Sequence, residues 1–165
     1  MTKTENFLKE AFAGESQANR MYTSFAAKAD KEGYPQAAKL FRAAAEAEAV
    51  HASNHLRALK AIKSTKENIG SAISGENHEF ESMYPEMIET AKAEGAKEAE
   101  RSFIFANEVE KVHSQLYQEM LKGLDSSKES YPYYICPYCG NTVPKAAPGK
   151  CSVCGAEGKL FKRID

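Results

Sequence analysis

Residues 41–62 read FRAAAEAEAVHASNHLRALKAI. At helical spacing one stripe of this stretch carries Phe41, Ala44, Glu48, His51, His55, Ala58 and Ile62. Such a stripe is the core-facing seam of an amphipathic helix. It is apolar at its ends and acidic in its middle, and that middle is the anomaly. An unpaired carboxylate on a buried face either costs several kcal/mol or holds its proton. A histidine three residues after a glutamate falls on the same helix face, so Glu48 and His51 can address one metal ion together.

The same construction recurs along the chain. Helix A, from about Thr4 to Lys31, presents Leu8, Phe12, Glu15, Asn19, Tyr22, Ala26 and Ala29. Gly33 then caps it, and Pro35 restarts the chain as helix B, which runs to about Lys63. Residues 64–74 lack clear periodicity and read as a long connection. Helix C covers roughly Gly75 to Glu94, with Phe80, Tyr84, Met87 and Ala91 on its apolar face and Glu79 beside them. Gly95 breaks it. Helix D, about Ala96 to Leu124, presents Ala99, Phe103, Ala106, Glu110, His113, Tyr117, Met120 and Leu124.

Two hairpins joined by one long crossover between helices B and C is the topology of ferritin-like four-helix bundles. Two divalent cations would neutralise four carboxylates gathered at one level. One Glu from each of two helices (Glu15, Glu79) and Glu-x-x-His from each of the other two (Glu48/His51, Glu110/His113) is the donor set of di-iron and di-manganese bundles. Glu48 and Glu110 are then placed to bridge the metals, and each histidine takes one. Oxygen and nitrogen donors suit redox-active iron, and by ligand type zinc or manganese stays open.

The remaining composition narrows the function classes. The chain has 165 residues, 42% hydrophobic and 27% charged, with a formal net charge of −1. Without a basic excess there is no electrostatic case for nucleic acid or an anionic membrane. No stretch approaches the roughly 18–20 apolar residues of a membrane span. The start, Met1-Thr2-Lys3-Thr4-Glu5-Asn6, lacks the apolar run of a signal peptide, which predicts a cytoplasmic protein. Charge runs such as Lys92 to Glu100 read as solvated helix faces.

Composition changes after residue 124, so the expected division is a helical domain over 1–124, a polar linker over 125–134 and a small domain over 135–165. The last thirty residues hold all four cysteines, three of the six prolines and four of the ten glycines. Cys136-Pro137-Tyr138-Cys139-Gly140 and Cys151-Ser152-Val153-Cys154-Gly155 are two knuckles whose four thiolates can surround one metal. Each glycine permits the positive φ that turns backbone N–H groups toward sulfur. A structural zinc ribbon and a one-iron site share these ligands, and from spacing alone zinc is the favoured reading. Tyr133, Tyr138, Leu160 and Phe161 are the candidate apolar jacket.

Over nearly its whole length the chain resembles the rubrerythrin family. The resemblance lies in Phe12-Ala13-Gly14-Glu15-Ser16, Glu48-Ala49-Val50-His51, Gly75-Glu76-Asn77-His78-Glu79, Met83-Tyr84-Pro85 and Glu110-Lys111-Val112-His113, and the tail is similar to rubredoxin. It implies two non-haem irons held by Glu15, Glu48, His51, Glu79, Glu110 and His113, and one iron held by Cys136, Cys139, Cys151 and Cys154. It lifts iron above zinc in the tail. The implied activity is reduction of hydrogen peroxide to water, in oxidative-stress defence, with electrons relayed through the tail. The implied donor is a rubredoxin or an NAD(P)H-dependent reductase, and the implied assembly is a homodimer in which the tail meets the partner's bundle. Tyr22 and His55 are candidates for supplying protons, and core packing accounts equally well for each.

One departure stands out. The family's third helix reads Glu-x-x-Glu-Met-Tyr-Pro, whereas Ser82 stands at the second Glu here. Ser82 is a much weaker ligand. Pro85 removes an N–H and crowds the carbonyl of Glu81, so a π-bulge is one way to rotate Glu81 inward in its place. Two other readings remain: an iron-oxidising, iron-storing ferritin-like protein, and a non-enzymatic helical scaffold with a structural zinc ribbon.

Overall fold

The computed structural model describes residues 2–165. Residue 1, at which the expected first domain begins, lies outside the described residues. The chain divides into two compact units, Met1–Lys63 and Ser64–Asp165.

In the first unit α1 (Lys3–Lys31) and α2 (Pro35–Ala58) pack as a hairpin. Thr2 opens α1 with a capping box, its hydroxyl accepting from Glu5 N–H while its own N–H donates to the Glu5 carboxylate at 2.7 Å. Pro35, which has no N–H to satisfy, occupies the first turn of α2. The face between the helices is built from alanine: Ala26 and Ala29 on α1, Ala38, Ala45 and Ala52 on α2, all buried. That heptad lies one position round from the expected Ala44–His51 stripe. Methyl side chains let the two backbones approach closely, so the alanines take the deepest line and Phe41, Glu48 and His55 flank it half-buried. Asn19 Nδ2 ties the pair by donating to the Ala45 carbonyl at 2.7 Å. Helix α2 stops at Ala58 rather than Lys63, because Lys60 turns the chain at φ 52°. Ile62 is therefore outside the helix and exposed.

The second unit begins with α3 (Thr65–His78), a π-helical turn (Glu79–Met83), α4 (Tyr84–Glu94) and α5 (Lys97–Gly123). Residues 64–74, expected to be an irregular crossover, are mostly helix. Ser64 and Glu67 form a capping box that nucleates α3, and Ile69 is its buried contact. Only residues 59–64 link α2 to α3. The expected helix C is thus longer, and it is interrupted just before Pro85. There Tyr84 N–H reaches back five residues to the Glu79 carbonyl, the widened hydrogen bond of a π turn. The bulge is present, but the inward rotation of Glu81 is not: Glu81 and Ser82 are both exposed. Buried Ser114 on α5 donates to Asn77 Oδ1 at 2.5 Å, tying α5 to α3.

No helix or strand covers residues 127–132. Beyond them β1 (Tyr133–Ile135), β2 (Thr142–Pro144) and β3 (Lys162–Ile164) form an antiparallel sheet in the order β2-β1-β3. Strand alternation gives its two faces different work. Tyr134 and Val143 pack on Cys136, Cys151 and Phe161. Tyr133, Ile135, Thr142 and Ile164 point the other way, onto His113, Leu116, Tyr117 and Met120 of α5, around a cleft of about 350 Å³. This corrects the expected jacket. Phe161 belongs to it, Tyr133 faces α5 instead, and Tyr138 and Leu160 are exposed. Among the described residues, no helix is long and apolar enough to cross a membrane.

Candidate metal centres

Among the described residues, three clusters bring metal-ligating atoms within 4.8 Å of one another. The first is Glu15, Glu48 and His51, in the α1–α2 hairpin. His51 Nδ1 lies 2.9 Å from Glu48 Oε2 and 3.7 Å from Glu15 Oε1. The i,i+3 spacing on α2 makes the first contact, and the packing of α1 on α2 supplies the second.

The second cluster is Glu76, Glu110 and His113. Its geometry repeats the first: His113 Nδ1 lies 2.7 Å from Glu110 Oε2 and 3.8 Å from Glu76 Oε1. Glu79, expected in this position, is outside the close set. It sits one turn further on, at the start of the π turn, where burial and the Glu110 charge raise its carboxyl above the ordinary range. Burial, a hydrogen bond to Glu110 and the charges of Glu110 and Glu79 push Glu76 up to about 7. Tyr84 faces the same group, and burial followed by the charges of Glu110, Glu79 and Glu76 raises its phenol. Glu76 belongs to a motif visible in the sequence, yet only the packing of α3 on α5 singles it out.

Neither candidate proton donor is a member of these close sets. Tyr22 stacks in an aromatic group with Phe25 and Phe41, its ring 6.2 Å from each. His55 is half-buried in the last turn of α2.

The third cluster is Cys136, Cys139, Cys151 and Cys154. Sulfur pairs Cys136/Cys154 and Cys139/Cys151 are each 3.5 Å apart. A disulfide would bring sulfurs to about 2.05 Å, whereas four bonds of about 2.3 Å to one tetrahedral ion leave sulfurs well over 3 Å apart. Gly140 and Gly155 have φ 82° and 77°, as the knuckles require. These turns aim Asn141 N–H at the Cys139 sulfur and Ala156 N–H at the Cys154 sulfur. Burial opposes the Cys151 thiolate, but N–H groups of Cys154 and Val153 outweigh it and bring the thiol down to about 6. Burial raises Cys139. Buried Asn141 was not singled out by the sequence, and its Nδ2 donates toward Cys151 Sγ at 3.6 Å.

The donor sets fit metal ions. In each acid–histidine cluster two carboxylates and an imidazole nitrogen, acceptors when unprotonated, converge on one small space. A cation removes the repulsion that a shared proton otherwise has to relieve. Four thiolates around one point need an ion for the same reason.

The helical part matches the rubrerythrin family model over residues 6–121. The chain is 37% identical to rubrerythrin-2 of Clostridium acetobutylicum, covering 96% of this chain and 95% of that protein. It is 37% identical to a rubrerythrin of Porphyromonas gingivalis, over 98% and 90% of the two chains. Fully reduced, all-ferrous nigerythrin superposes with a TM-score of 0.61 at 30% identity, covering 99% of this chain and 88% of that one. These likenesses carry the fold class, a ferritin-like four-helix part with a rubredoxin-like C-terminal domain, and its cofactors, non-haem iron at the Glu/His donors and one iron at the four cysteines. With donor sets, chain order and sequence in agreement, this chain belongs to the rubrerythrin family.

Proposed function

We propose that the protein is a non-haem di-iron peroxidase that reduces hydrogen peroxide to two waters, taking two electrons and two protons per turnover. The observation that carries this reading is the pairing, in one chain, of two matching Glu/Glu/His clusters with a four-cysteine site packed on the helix that bears His113. A storage protein has no use for such a reductant relay.

In this reading Glu15, Glu48 and His51 hold one iron, and Glu110 and His113 hold the other with Glu76 and Glu79. Bound iron supplies the electrons and the Lewis acidity. The side chains do the rest. The carboxylates hold the ions, and His51 and His113 each offer Nδ1. With no cation bound, burial and the Glu110 charge hold the Glu76 carboxyl up at about 7, and a bound ion displaces that proton. Tyr84 stays a neutral phenol beside the same group. Proton supply therefore falls to Tyr84 in preference to Tyr22 and His55. Cys136, Cys139, Cys151 and Cys154 carry electrons from a rubredoxin or an NAD(P)H-dependent reductase. The setting is the cytoplasm and the assembly a homodimer, as the resemblance implies.

The test is anaerobic. Fully reduced, iron-loaded protein is mixed with hydrogen peroxide while the visible absorption of the tail is followed. Rapid return of the oxidised tail spectrum with stoichiometric loss of peroxide is expected. Glu48→Ala and His51→Ala should abolish it while leaving the tail's spectrum intact. Full activity in both variants overturns the assignment.

A further inference from the structure

Among the described residues, one buried side-chain acceptor has no hydrogen-bond partner: Oδ1 of Asn107, on α5. The other end of the amide fixes its orientation. Asn107 Nδ2 lies 3.5 Å from Glu108 Oε1, and a carboxylate oxygen only accepts, so the nitrogen is turned to Glu108 and Oδ1 to the interior. A buried acceptor without a donor forfeits the hydrogen bonds that water gave it, and folded proteins keep few such groups. Ser114, two turns further along α5, shows the ordinary solution, donating to Asn77 Oδ1 at 2.5 Å. Asn107 stands one turn after Phe103 and one turn before Glu110, so the three share a helix face. Tyr84 lies across the same stretch. Its ring is 6.3 Å from that of Phe103, while its phenol feels the charges of Glu110, Glu79 and Glu76. Burial, and then those charges, raise the phenol, so it keeps its proton and stays a donor. Tyr84 thus spans the turn that carries Asn107, yet its hydroxyl is not the partner of Oδ1. Beside Glu110 the fold therefore sets one donor, the Tyr84 hydroxyl, and one acceptor, Asn107 Oδ1. A leucine at 107 would fill the position and leave nothing unpaired.

We propose that Asn107 is a substrate-positioning residue whose Oδ1 accepts a hydrogen bond from hydrogen peroxide while the Tyr84 hydroxyl donates to the same molecule, and that this pair selects peroxide over dioxygen. The proposal rests on the peroxidase reading of the Glu/His clusters. Hydrogen peroxide has two O–H donors and lone pairs on both oxygens, so one molecule satisfies a donor and an acceptor together. Dioxygen has no hydrogen to give. In the same place it leaves Oδ1 buried and unpaired, and a site built around a hydrogen-bonding group discriminates against a ligand that lacks the matching group. Asn107 takes neither proton nor electron, because an amide oxygen is too weak a base at neutral pH. The two electrons and two protons of the reduction come from the sources already named, and Asn107 holds one O–H of the substrate in place.

The test compares wild type with Asn107→Leu, an apolar side chain of similar size, in the full chain. KM and kcat for hydrogen peroxide are measured on iron-loaded protein with a chemical reductant in excess. The rate at which dioxygen re-oxidises the fully reduced protein is measured beside them. Asn107→Leu should raise the KM for peroxide about fivefold, the worth of one neutral hydrogen bond. Its kcat, dioxygen rate and iron content should stay close to wild type. One readout is free of turnover: metal-free Asn107→Leu should unfold at a denaturant midpoint no lower than wild type, since it no longer buries an unpaired acceptor. If Asn107→Leu takes up no iron, Asn107→Ala decides by the same comparison of peroxide KM with dioxygen rate. A KM equal to wild type, or peroxide and dioxygen reactions that fall together, overturns this inference alone. A lower midpoint for Asn107→Leu overturns it too, because Oδ1 then has a partner within the fold. Wild type that leaves peroxide unreduced overturns the peroxidase reading and this inference with it.

Discussion

Glu76 and Glu110 bring carboxyl oxygens within 4.8 Å of one another, both facing His113 Nδ1. Two carboxylates this close repel unless one keeps a proton, and burial first, with the Glu110 charge, holds the Glu76 carboxyl up at about 7. The pair is therefore a proton store in the metal-free chain and a ready ligand pair once a cation displaces that proton.

A pH dependence follows, with a definite sign. Glu76 titrates at about 4.5 when unfolded and about 7 when folded, so the folded state binds its proton more tightly. The corresponding stability is fully present below pH 4.5 and is lost as pH rises through 7. Metal-free wild type should fall in stability relative to Glu76→Gln across that window, by denaturant unfolding at a series of pH values. A flat difference between the two proteins would contradict the shared proton.

Glu110→Ala and His113→Ala should each lower the iron content of the helical site, measured by metal analysis. The tail's visible spectrum should be unchanged, because neither residue belongs to the four-cysteine set. Iron content equal to wild type in both variants would remove Glu110 and His113 from the ligand set.

Glu81 is exposed on the π turn. Glu81→Ala should leave iron content and the peroxide reaction close to wild type, within the roughly ±0.5 kcal/mol typical of surface substitutions. Loss of iron on this substitution would mean that Glu81 does replace the carboxylate absent at Ser82.

Asn141 is buried and donates toward the Cys151 sulfur. Hydrogen bonds to thiolate sulfur stabilise the reduced, more negative cluster. Asn141→Ala should lower the reduction potential of the tail iron, read by redox titration of its visible band. An unchanged or raised potential would show that this contact does not tune the iron.

Ser64 closes the capping box of α3. Ser64→Ala should cost about 1 kcal/mol in unfolding free energy, because Glu67 N–H then loses its acceptor. No change in the denaturant midpoint would mean that α3 is held by packing alone.

Much of this molecule was legible beforehand. Glu48/His51 and Glu110/His113 meet because a helix puts i and i+3 on one face, and the two cysteine knuckles close because each spans a single turn. Helix α3 was missed because its residues carry little apolar periodicity, although Ser64-x-x-Glu67 was a readable start signal. Glu76, Tyr84, Asn141 and Thr142 were not recognised as parts of a site, since their partners lie 10 to 34 residues away along the chain, in α5 or in the second knuckle.

The sequence by itself determined the donor types, their pairing at short range and hence the two kinds of metal site, because those distances are set by the pitch of a helix and the reach of a turn. Tertiary structure alone decided that Glu76 lies closer to His113 than Glu79 does, that Glu81 stays in solvent, and that Thr142 meets the Nε2 nitrogen of His113. Those outcomes depend on how α3 and the small sheet seat on α5, and such non-local packing is the summed result of many weak contacts that no local pattern records.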